Sequence, residues 1–249
     1  MRNMVKYAET LHKSLNANDV EQVLRAVAEH CNLTYYLFGI SIPISFSRSH
    51  TAIFSNYPVK WRQLYDENNY VELDPTVNHC YSSTRAVIWN ELEEKYSSRQ
   101  EKAFFKKAKS YGLISGLSVP VHGNKSELGI FSLASDRDYD SFNKSELTEI
   151  LLVSQAVAPI AFSKLIEIEN SLLKREEKKL TSRERDVIYW AAEGKTTWEI
   201  GYILGCSERT VYFHLNNATK KLGVVNRYQA ISKAVLHGYV HPSANRNKS

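Results

Sequence analysis

The sequence predicts an α+β protein in two parts: an N-terminal α/β/α sandwich on an antiparallel sheet, then an all-α, four-helix helix-turn-helix domain. Three observations predict it. Aromatic and β-branched runs of strand type alternate with helical runs over residues 1–165. A charged stretch with no core positions, KREEKK, interrupts the chain at 174–179. Beyond it, four helix signatures follow in succession, each closed by a glycine.

In the first part, NDVEQVLRAVAEHCN carries Val20, Val23, Leu24, Val27 and Ala28 at helical spacing. YYLFGISIPI, TAIFSN, SGLSVPVHG and LGIFSLAS are strand-like, whereas RQEKAFFKKAKSYG and the run from Ser141 to Ile168 are helical. On that last run Leu147, Ile150, Leu151, Ser154, Val157 and Ala158 form a stripe. It suits a subunit contact and an ordinary core face equally.

Composition bounds the class. The 249 residues are 43% hydrophobic, enough for a core in each part. Cys31, Cys80 and Cys206 are odd in number and widely spaced, which predicts buried thiols in a reducing compartment, with no disulfide framework and no metal site. The N-terminus, MRNMVKYAETLHKSL, is mixed polar without a signal-peptide apolar run. No stretch of about 18 apolar residues predicts a membrane span. A soluble, cytoplasmic protein is expected. Charge is uneven: residues 171–249 hold 14 Lys+Arg against 7 Asp+Glu, while residues 1–170 hold 18 against 20. A basic end on a slightly acidic body suits a polyanion, and a solvated basic face looks the same.

These features place a first domain at 1–169, a linker at 170–179 and a second domain at 180–240, with a frayed tail. In the second domain Thr181 and Glu184 form a capping box opening a helix with Val187, Ile188, Ala191 and Ala192 inward, stopped at Gly194. Thr196 and Glu199 repeat the box, with Ile200, Ile203 and Leu204 inward and Gly205 as the stop. Ser207 opens a third helix with Val211, Leu215, Ala218 and Leu222 inward, stopped at Gly223. Asn226 opens a fourth, with Ala230, Ile231, Ala234 and Val235 inward, ending at Gly238. The tight Gly205-Cys206-Ser207 link makes helices two and three a helix-turn-helix, whose second member enters the major groove. The third helix turns Arg209, Tyr212, Asn216, Thr219, Lys220 and Lys221 outward, a polar basic face.

The segment LTSRERDVIYWAAEGKTTWEIGYILGCSERTVYFHLNNATKKLGVVNRYQAISKAV resembles the DNA-binding domain of the LuxR family of regulators over about 60 residues. Signature positions stand as Glu184, Ile188 and Gly194. The resemblance implies base contacts from Tyr212 and Asn216, and phosphate contacts from Arg209, Thr210, Lys220 and Lys221. Many relatives carry Lys or Arg in place of Tyr212, and a tyrosine cannot read guanine bidentately, so the operator sequence is not implied.

The stretch YPVKWRQLYDENNYVELDPTVNHC, followed by VIWN, gathers Tyr57, Trp61, Tyr65, Tyr70 and Trp89 around a single Asp74 ahead of Pro75. Aromatics about one carboxylate suit a small-molecule pocket, but by themselves they suit an aromatic core with a helix-capping Asp-Pro pair better. This segment is similar to the autoinducer domain of LuxR-type quorum-sensing receptors, in the expected order along the chain. The resemblance implies an N-acyl-homoserine lactone ligand, no other cofactor, a homodimer and a palindromic double-stranded DNA site. It further implies that the Asp74 carboxylate accepts the ligand amide N–H and that Trp61 donates to the lactone carbonyl. Tyr57 and Ser132 would supply hydroxyls to the acyl carbonyl. Tyr65 would lie along the acyl chain, Trp89 would pack on the lactone ring, and Gly116 would match a family glycine. Thr76, after the Asp-Pro pair, is a weaker polar candidate.

An enzyme is not expected: the sequence has no G-x-S-x-G, no clustered His/Asp metal spacing and no glycine-rich phosphate loop. The competing expectation is a regulator of the same shape that senses another molecule or none.

Overall fold

The alternation of periods seen in the sequence becomes layers in the computed structural model, which describes residues 2–95, 98–173 and 179–240. The chain divides into two units.

The N-terminal unit contains α1 (Arg2–Lys13), α2 (Ala17–His30), β1 (Tyr35–Ser45), β2 (Arg48–Ser55), α3 (Val59–Glu67), α4 (Pro75–Ser82), β3 (Val87–Ile88), α5 (Trp89–Lys95), α6 (Arg99–Lys109), β4 (Ser115–His122), β5 (Leu128–Ser135) and α7 (Lys144–Leu172). The strands form one sheet in the order β2-β1-β5-β4-β3, with β1–β5, β5–β4 and β4–β3 antiparallel.

Strand alternation assigns each face. Tyr36, Phe38, Ile40 and Ile42 of β1 are buried with Phe131 and Leu133 of β5 in a core that also takes Val20, Leu24 and Val27 of α2 and Val153, Val157 and Leu165 of α7. Phe38 stacks on Phe131 with ring centroids 5.4 Å apart. The intervening residues Leu37, Gly39 and Ser41, with Ile130 and Ser132, turn to the opposite face and line a cavity beneath α3–α6. The register sets Leu37 beside Ser132, and Ser132 beside Ser118.

Helix α1 was not anticipated from its mixed polar sequence. Met4, Tyr7 and Leu11 pack on the core at a three-to-four residue spacing while the rest faces water. Of the α7 stripe, Ile150, Ser154, Val157 and Ala158 are buried, so the core-facing reading accounts for most of it. Among the described residues α7 is the one helix long and apolar enough to cross a membrane by length and composition, and much of that apolar surface is spent on the core. It runs through Leu172, into the segment expected as a linker; 174–178 and the tail from 241 lie outside the described residues.

The C-terminal unit contains α8 (Ser182–Ala192), α9 (Thr197–Leu204), α10 (Glu208–Leu222) and α11 (Arg227–Leu236). Thr181 and Thr196 form the expected capping boxes, and Gly194, Gly205, Gly223 and Gly238 all take positive φ. Val187, Ile188, Ala191, Ile200, Val211, Leu215, Ala218, Leu222, Ala230 and Ala234 make the core. Ala192, Ile203 and Val235 were expected inward and are exposed. Each lies about 100° around its helix from a buried neighbour or beyond the last packed turn, and helices this short bury only a narrow stripe.

Candidate ligand cavity and DNA-facing helix

A cavity of about 330 Å³ lies between the sheet and α3–α6, and Tyr57, Trp61, Tyr65, Asp74, Thr76, Trp89 and Ser132 all line it. Residues separated by up to 75 positions in sequence are brought together by three devices. Helix α3 carries Trp61 and Tyr65 four apart, one above the other on one face. Asp74 caps α4, with Pro75 at its first turn. Register aligns Ser132 with the β4 strand that bears Trp89 against it.

Asp74 is the polar centre. Its Oδ1 accepts the Thr76 backbone N–H at 2.8 Å, and its Oδ2 accepts the Tyr65 hydroxyl at 3.0 Å. Burial pushes its pKa upward, partly offset by the Thr76 N–H and the Tyr65 hydroxyl. The residue retains some accessible area and lines the cavity, so it is withdrawn from bulk water while reachable from within. The Asp-Pro capping reading and the pocket reading are therefore both realised by the same carboxylate. Thr76 contributes a buried position and a backbone N–H.

Trp61 is 2% exposed, its ring centroid 5.7–5.9 Å from those of Tyr65, Tyr70, Phe104 and Tyr111. Tyr57 is also buried. Its hydroxyl makes no hydrogen bond of good geometry among the described residues, and burial raises its pKa while the nearby Ser132 hydroxyl opposes that rise. Trp89 donates its indole N–H to Ser118 Oγ at 3.0 Å, and Ser118 lies 2.7 Å from Ser132 Oγ. A Cβ on Gly116 would stand 2.7 Å from the Leu133 carbonyl oxygen and 2.9 Å from the Trp89 ring, so glycine allows the indole to lie on the sheet.

Sequence reasoning missed Arg62, Phe104 and Ser118. Arg62 lines the cavity, sits 4.7 Å from the Tyr65 ring centroid and bonds Asp66 at 2.7 Å. It is one position after Trp61, a signal that was available. Phe104 and Ser118 come from elements distant in sequence and carry no local mark.

On α10, Arg209, Tyr212, Asn216 and Lys220 are exposed on one side. Thr210 is half-buried, with its hydroxyl 2.8 Å from Ser207 at the helix start. Lys221 points elsewhere: its Nζ bonds the 3%-exposed Glu184 of α8 at 2.7 Å. Phe213, 61% exposed beside Tyr212, was overlooked because only polar residues were counted outward. Gly201 makes the α9–α10 turn possible, since a Cβ there would approach the Cys206 carbonyl oxygen to 2.8 Å.

An aromatic cavity in an α/β/α unit, on one chain with a helix-turn-helix unit, defines a ligand-responsive DNA-binding regulator. Residues 16–165 match the family model "Autoinducer binding domain", and 178–234 match "Bacterial regulatory proteins, luxR family". The chain belongs to the LuxR family of transcriptional regulators. It is 38% identical to the transcriptional activator protein LuxR of Aliivibrio fischeri over 229 residues, 91% of this chain and 90% of that one. A crystal structure of Escherichia coli SdiA is similar with TM-score 0.79 at 24% identity, covering 96% of this chain and 98% of that one. SdiA in complex with octanoyl-rac-glycerol gives TM-score 0.78 at 26% identity, with 96% of each covered.

Proposed function

We propose that the N-terminal cavity receives an N-acyl-homoserine lactone and that the ligand-filled chain binds a palindromic promoter site as a homodimer in the cytoplasm. The observation that carries this reading is that an acceptor and donors line one cavity: the Asp74 carboxylate with the Ser132 and Tyr57 hydroxyls. A secondary amide needs this arrangement, its N–H donating to Asp74 and its carbonyl accepting from Ser132 and Tyr57. Trp61 would donate to the lactone carbonyl, Trp89 would pack on the ring, and Tyr65 and the apolar Leu37, Ile53 and Ile130 would flank the acyl chain. Burying a carboxylate costs free energy that its hydrogen bonds within the chain offset only in part, and the ligand amide would supply a further one. Ligand that binds only the folded unit stabilises it by about 2.7 kcal/mol at 100 times Kd.

In the second domain, taken as 180–240, Tyr212 and Asn216 would meet base edges while Arg209, Thr210 and Lys220 would meet phosphates. Lys221, held by Glu184, would act chiefly as a brace. Two such helices from a dimer would read half-sites about one helical turn apart.

A second reading follows from the SdiA complex: an acylglycerol has an ester carbonyl for the donors and hydroxyls for Asp74, but no amide. A thermal-shift panel of acyl-homoserine lactones and octanoylglycerol tests both. Stabilisation by a lactone above that by octanoylglycerol supports the first reading, and stabilisation by no lactone refutes it.

A further inference from the structure

Ser118 is fully buried, outside every role assigned above, and its hydroxyl joins two residues that the proposed ligand would touch. Trp89 Nε1–H can only donate, so Ser118 Oγ must be its acceptor at 3.0 Å. The Ser118 proton then needs an acceptor, because a buried hydroxyl proton left unpaired costs about 1–3 kcal/mol. Among the described residues its other partner is Ser132 Oγ at 2.7 Å. The direction Trp89 to Ser118 to Ser132 satisfies all three groups. The reverse direction would leave the Ser118 proton without a partner in the sheet.

We propose that Ser118 is a positioning residue that polarises Ser132, holding the Ser132 proton toward the cavity so that this wall offers a donor and selects a carbonyl oxygen. Ser132 is buried as well but lines the cavity, where a bound carbonyl oxygen would accept its proton. The relay closes through register alone, since Ser118 and Ser132 are direct cross-strand partners and Trp89 lies against Gly116 two residues along β4.

This inference rests on the acyl-lactone reading, and one experiment separates the two. Kd is measured for N-octanoyl-homoserine lactone and for its thioamide analogue, whose sulfur is a poorer acceptor; sulfur is also larger and the thioamide N–H a stronger donor, so the change in preference between variants is what is read. The wild-type chain should prefer the oxygen compound. In Ser118→Ala that preference should shrink by about threefold to tenfold, the weight of one oriented hydrogen bond. In a Ser132→Ala background, adding Ser118→Ala should leave the preference unchanged. Ser118→Cys, similar in size with a weak donor, should fall between and replaces the alanine variant if that does not fold. Equal loss of affinity for both compounds in Ser118→Ala overturns the inference, as does a Ser118 effect that persists without Ser132. Binding of neither compound by the wild-type chain overturns the acyl-lactone reading and this inference together. Binding with no preference overturns the relay alone.

Discussion

Tyr65 donates its hydroxyl to Asp74 Oδ2 at 3.0 Å, across nine residues and from a different helix. The bond makes the aromatic wall and the carboxylate one unit, so each depends on the other. Thr76 and the Val77 backbone N–H also serve the carboxylate, yet burial still outweighs these donors and lifts its pKa.

Asp74→Ala should weaken stabilisation by lactone, with Kd raised about tenfold to a hundredfold, the weight of a charge-assisted hydrogen bond. An unchanged ligand response in the full-length variant would remove Asp74 from the site.

The pH dependence follows from the same group. Burial lifts the Asp74 pKa above its ordinary 3.8, so the folded chain keeps a proton where the unfolded chain has released it. Stability then falls as pH rises from about 4 upward through that window. Asp74→Asn removes the titration. In ligand-free protein its melting temperature should decline less than that of the wild type over this range, as differential scanning calorimetry would read.

Gly116→Ala should lose ligand affinity together with stability, by about 1–3 kcal/mol of overpacking. The added methyl meets the Leu133 carbonyl oxygen, which is backbone, and the Trp89 ring, which must move. Tryptophan fluorescence should shift. An alanine variant with wild-type melting and binding would show that the indole does not need this contact.

Lys220 and Lys221 are adjacent in sequence but should behave differently. Lys220→Ala should weaken all DNA sequences alike and reduce the salt slope by about one unit, while Asn216→Ala relaxes sequence preference. Lys221→Ala should instead destabilise the C-terminal unit, because it strips Glu184 of its cation. Burial raises the Glu184 pKa, but the Lys221 ammonium and Thr181 outweigh it and leave the value below the ordinary 4.5. That contribution is present above about pH 4.5 and is lost as pH falls through the lowered pKa. Identical salt slopes and melting curves for the two lysine variants would refute the distinction.

The sequence by itself determined what local rules govern. Helix caps, glycine stops and three-to-four spacing specify α8–α11 because each signal lies within one or two turns of what it controls. The same holds for Trp61 above Tyr65 on α3 and for the Asp74-Pro75 start of α4. Tertiary structure decided what depends on partners distant in the chain. Whether Ala192, Ile203 and Val235 are buried depends on where neighbouring helices end, and α1 is held by a core that its own composition does not reveal. The Lys221 ion pair with Glu184, 37 residues earlier, is likewise set by packing between helices. The hydroxyl line from Trp89 through Ser118 to Ser132 exists only because strand register sets two serines opposite each other. Helix signals are short-range in sequence, whereas pairing across a sheet and across a cavity joins residues distant in the chain and is fixed only when whole elements dock against one another.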